Sequence, residues 1–74
     1  MKRIIQFKIY KGEEYYIGES IDLPIITQGK TIDEVVANIK EALALHLEAE
    51  NLSELDLDSH PSVMVNLELE TINA

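Results

Sequence analysis

Residues 15–47 read YYIGESIDLPIITQGKTIDEVVANIKEALALHL, and the second half of that run is one capped amphipathic helix. Thr31 stands at the N-cap position with Glu34 three residues on, the reciprocal pair of a capping box. Asp33 and Glu34 also suit the positive end of a helix dipole. Ile32, Val35, Val36, Ile39, Leu43 and Leu47 recur at helical spacing and form one apolar stripe, bordered by Ala42. The pattern predicts a helix from Ile32 to about Glu50, roughly 28 Å long at 1.5 Å per residue, with Asn51 as its stop.

Working outward, Gly29 ends a short strand at Ile25–Thr27, and Pro24 marks a corner or an edge, because it has no N–H for a central ladder. Tyr15–Ser20 reads as a strand, with Tyr15, Ile17 and Glu19 on one face and Tyr16, Gly18 and Ser20 on the other. Before it, Arg3–Tyr10 alternates, with Ile5, Phe7 and Ile9 pointing one way and Gln6, Lys8 and Tyr10 the other. Lys11-Gly12-Glu13-Glu14 is the hairpin turn between the two. Leu52–Pro61 is an acidic loop, and Val63–Glu70 alternates again, with Val63, Val65, Leu67 and Leu69 expected inward.

The expected fold class is therefore α+β, a two-layer β-β-β-α-β domain. Its four-stranded sheet is mostly antiparallel and covered on one face by one helix, since stripe and strand faces need each other. A right-handed crossover returns the last strand beside the first, in the order 3-2-1-4. That is a truncated RNase H-like layout.

Asp22-Leu23-Pro24, Gln28-Gly29, Thr31, Glu34, Asn38 and Glu41-Ala42 stand at the intervals of a known pattern. The run from Glu14 to about Glu48 resembles the HicB family of small antitoxins, which carry D-L-P-G-C, Q-G-x-T and E-A-x-x-N-x-x-E-A. The resemblance implies the same truncated RNase H-like fold and a non-enzymatic role. In that family the domain binds and neutralises a small, basic HicA-type toxin that cleaves messenger RNA. Two departures are visible. Ile25-Ile26 replaces the family's Gly-Cys. The chain also stops soon after its last strand pattern, so the expected form is a short one without the C-terminal DNA-binding module, and operator binding is not carried over.

Composition bounds the alternatives. The 74 residues make one domain, residues 1–74. A chain of this length buries only about 60% of its unfolded surface. With no cysteine to form a disulfide, oligomerisation, as a dimer or larger, is the expected source of extra stability. Six basic residues against fourteen acidic ones give a net charge of −8. Phosphate backbones reward clustered Lys and Arg, so direct nucleic-acid binding is not expected, whereas a basic protein partner is. Gln6 and Lys8 interrupt any apolar signal-peptide core, and no apolar run approaches a membrane span. A cytoplasmic protein is expected.

Catalytic, cofactor and metal sites are not expected. RNase H-type cleavage needs carboxylates converging on a divalent metal, yet Lys2–Lys11 holds no Asp or Glu. Asp56-x-Asp58-x-His60 lacks the glycine and closing glutamate of a calcium loop. The candidate partner-binding residues are Glu34, Glu41, Leu45 and Glu48 on the helix, with Glu19 and Asp22 near the corner. Read plainly, the three glutamates are a solvated face and Leu45 an isolated exposed leucine. Read functionally, they are an acidic ridge with an apolar anchor. Tyr10, Tyr16 and Met64 are expected on the sheet face away from the helix, where a second subunit would pack. The alternative function is a stand-alone homo-oligomeric module of this fold, with no toxin partner.

Overall fold

The structure, a computed structural model, describes residues 4–49 and 61–71. Strands β1 (Ile4–Lys11), β2 (Tyr16–Ser20) and β3 (Ile26–Gly29) precede helix α1 (Ile32–Ala49), and β4 (Ser62–Leu67) follows it. The sheet order is β3-β2-β1-β4. β1–β2 and β2–β3 are antiparallel, and β1–β4 is parallel. The fold is therefore α+β, with a mixed four-stranded sheet and one helix. The expected acidic loop and helix stop, Glu50 to His60, lie outside the described residues.

Sequence alternation sets the core. Ile5, Phe7 and Ile9 of β1 are buried, and α1 lays Val35, Ile39 and Leu43 over them, with Ile25 closing the corner. Each such side chain contributes roughly 1.5–3 kcal/mol on full burial. The helix lies against β3 and β2. Gly18 makes this possible, since a Cβ there would stand 2.8 Å from Ile39 Cδ1 and 3.1 Å from Val35 Cγ2. Gly29 is tighter still, because a Cβ would meet the Val35 backbone nitrogen at 2.6 Å. The demand at Gly29 is thus closeness to the helix backbone.

The corner is built by local bonds. The Ile25 N–H donates to Leu23 O at 2.8 Å across Pro24, a three-residue turn that the fixed φ of proline suits. The Leu23 N–H donates to Ser20 Oγ at 3.0 Å, so the buried Ser20 hydroxyl is satisfied. One half of the expected capping box forms, with Thr31 Oγ1 accepting from the Glu34 N–H at 3.0 Å, while the Glu34 carboxylate reaches past the N-cap to the residue before it. Glu34 Oε1 accepts from the N–H of Lys30 at 3.1 Å.

Three expectations are corrected. Tyr16 does not lie on the open sheet face. The hairpin pairs Lys11 with Tyr16, so Tyr16 falls in phase with Gly18 and Ser20, whose partners are the core residues Ile9 and Phe7. It packs at the border of the core. Leu69 does not face in, because β4 ends at Leu67 and Leu69 is exposed. Val65 and Leu67 share the helix-side face with Phe7 and Ile9 but remain 37% and 41% exposed, since α1 sits toward the opposite edge.

Candidate interaction surface

The two edges of the sheet differ in what they present. At the β3 edge, α1 and the strand enclose a shallow depression of ≈ 250 Å³ lined by Thr27, Asn38, Glu41, Ala42 and Leu45. Leu45 is 59% exposed there. On the other side of β3, Glu19, Ser20, Leu23, Pro24, Ile25 and Ile26 line a second depression of ≈ 300 Å³. Ile26 is 65% exposed. It stands opposite Glu19 in the β2–β3 ladder, on the open face of the sheet.

Of the residues singled out from sequence, Glu41 and Leu45 are therefore brought together, and Glu19 lies on the other face of the same edge. Asp22 is exposed in the corner, and Glu48 is exposed near the end of α1. Glu34 is exposed too, but its carboxylate is engaged in the helix cap. Glu19 is half-buried, and its Oε1 accepts from the Tyr10 hydroxyl at 3.5 Å. Tyr10 and Met64 lie on the open face, where their ladder partners are Ile17 and Gln6.

The structure also names a partner for Asn38. Its Nδ2 donates to the carbonyl of Gln28 at 2.7 Å. The Ser20 N–H donates to Ile25 O, so the two-residue strand period turns the Gln28 carbonyl to the free side of β3. Asn38 thus occupies one of the outward backbone groups of that edge.

Ile26 was missed in the sequence reading. A signal existed, because adjacent isoleucines in a strand point to opposite faces. With Ile25 buried, Ile26 must face out.

At the far end of β1, Tyr10, Lys11, Tyr16, Glu68, Leu69 and Glu70 line a cleft of ≈ 320 Å³. The Lys11 ammonium lies 5.0 Å from the Tyr16 ring centroid, and Lys8 lies 5.5 Å from that of Tyr10. Both rings already carry a cation of their own chain. Among the described residues, no three His, Asp or Glu side chains converge as a metal site would need. The Asp56, Asp58 and His60 stretch lies outside them. No described helix is long and apolar enough to cross a membrane. Comparison with known protein families, curated proteins and solved structures finds no match to the chain.

Proposed function

We propose that this chain is a non-catalytic, antitoxin-like protein of truncated RNase H-like fold. It works in the cytoplasm, where it binds and covers a small basic HicA-type toxin that cleaves messenger RNA. The observation that carries the reading is Leu45, an exposed apolar side chain between Glu41 and Glu48 on a chain of net charge −8. An apolar anchor with an acidic rim fits a basic protein face, which the net charge attracts from a distance. Ile26 and Glu19 extend the same chemistry around β3.

The test is capture of the tagged full chain from its native lysate at low salt, repeated at high salt, with assay of any captured ribonuclease. A small basic protein that is retained at low salt, weakened by high salt and inhibited in RNA cleavage by the chain supports the reading. Leu45→Glu should then release it. Recovery of the chain alone as a defined oligomer overturns it in favour of the second reading, a homo-oligomeric interaction module. The observation favouring that second reading is the exposed, uncharged strand β4.

A further inference from the structure

We infer that β4 is a self-pairing edge, where a second copy of this chain continues the sheet antiparallel about a two-fold axis at Val65. The inference does not depend on the antitoxin reading, because it concerns the opposite edge from Leu45.

The hydrogen-bond phase of β4 sets the register. The Glu68 N–H donates to Ile9 O at 2.8 Å. By the two-residue period of a strand, Met64 and Asn66 also turn their backbone groups toward β1. The N–H and C=O groups of Val63, Val65 and Leu67 then point out along the free edge. An antiparallel partner can satisfy them only by placing an odd-numbered residue opposite an odd-numbered one. A two-fold axis at Val65 does so along the whole strand. Val65 meets Val65 of the second copy, Val63 meets Leu67, and each such pair exchanges two N–H···O bonds.

The side chains of the same register are compatible. On the helix side, Val63, Val65 and Leu67 of both copies form one continuous aliphatic band, covering the flanks of Val65 and Leu67 that are exposed in the single chain. On the open face, Met64 falls opposite Asn66, and Glu68 opposite Ser62. No like charges meet.

That last point selects the occupant. Two copies of a chain carrying −8 repel over most of their surface. Ser62–Leu67, SVMVNL, has no charged residue, so an identical chain can approach there without like-charge opposition. A basic partner gains nothing from an uncharged strand. Edges that proteins protect from pairing carry Lys, Pro or an inward charge, and Ser62–Leu67 has none of these. The other edge is short, only the four residues Ile26–Gly29, and Asn38 occupies one of its carbonyls. Self-pairing at β4 leaves both β3 edges facing outward.

The chain has no native cysteine, so Val65→Cys provides a direct test. In the inferred register the two Val65 Cα atoms are about 5.5 Å apart, within reach of a disulfide. Mild oxidation of full-length Val65→Cys should give a covalent dimer, while Ile26→Cys at the other edge should give no cross-link. Sedimentation of the unmodified chain over a wide concentration range should show twice the chain mass. Val65→Lys should halve it with the circular dichroism spectrum unchanged, because Val65 lies at the sheet rim. Three results would overturn the inference: a monomer at all concentrations, a dimer that survives Val65→Lys, or cross-linking through Ile26 in place of Val65. If Val65→Lys fails to fold, the cysteine pair still decides.

Discussion

The β3 and β4 edges belong to one sheet, yet one is partly blocked by its own chain and the other is open. β3 lies under α1, has Gly29 pressed against the helix backbone, and has the Gln28 carbonyl taken by Asn38. β4 is longer, uncharged and apolar, and its helix-side residues Val65 and Leu67 stay exposed. The difference follows from sequence distance. β3 and α1 are separated by two residues, so a capping box and one asparagine fix their contact locally. β4 follows α1 at a distance in the chain and, apart from Val63 at the border of the core, gains only the parallel ladder with β1. One edge is partly occupied by its own chain, and the other is left for a neighbour.

The two sides of the sheet differ most in how much a core truncation costs. Ile39→Ala removes a buried side chain that lies directly on Gly18. It should cost about 2–5 kcal/mol, enough to unfold much of a small domain. Leu67→Ala, at the open β4 edge, should cost less than about 1 kcal/mol in the monomer, as at other partly exposed positions. Urea denaturation of both variants under dissociating conditions measures the contrast. Equal losses would mean that α1 covers both edges alike.

Gly29→Ala comes next. Its Cβ would run into backbone, which cannot rotate away. The cost should be about 1–3 kcal/mol, in the range of overpacked cores, and helix content should fall with it. The same change at Gly18 meets only side-chain atoms of Ile39 and Val35 and should cost less. A smaller effect tests the cap. Thr31→Ala leaves the Glu34 N–H without its side-chain acceptor and should cost about 1 kcal/mol, read as a lower denaturation midpoint.

The elements whose signals are local were legible from the residues. The capping box, the helical stripe, the alternation of β1 and the D-L-P corner each lie within a few residues and have one physical solution. The strand order followed from a right-handed crossover once the stripe is buried against the sheet. Two things were not legible. The face of Tyr16 depends on hairpin register, which the turn sets and alternation does not. The exposure of Val65 and Leu67 depends on where α1 sits across the sheet, decided by close approach at Gly18 and Gly29. For the candidate surface, Leu45 was visible because it breaks the helical stripe. Ile26 needed the knowledge that Ile25 is buried, a tertiary fact.

At Asn38 the two edges differ by a single hydrogen bond. Its side chain joins α1 to the free side of β3 through one hydrogen bond of 2.7 Å to the Gln28 carbonyl. The bond is exposed, so Asn38→Ala lets water replace the amide, and the loss should be only about 0.5–1.5 kcal/mol. The structural consequence is larger than the energy. With Asn38 gone, the outward groups of Ile26 and Gln28 are all free, and β3 becomes an edge of the same kind as β4, only shorter. Hydrogen exchange can read this residue by residue. The Thr27 and Gly29 amides, which face β2, should lose protection only as far as global stability falls. If β3 stays unpaired in Asn38→Ala, its shortness alone keeps the edge from pairing. If that variant associates further and Ile26→Lys reverses it, the asparagine itself is the guard, and one side chain separates a closed edge from an open one.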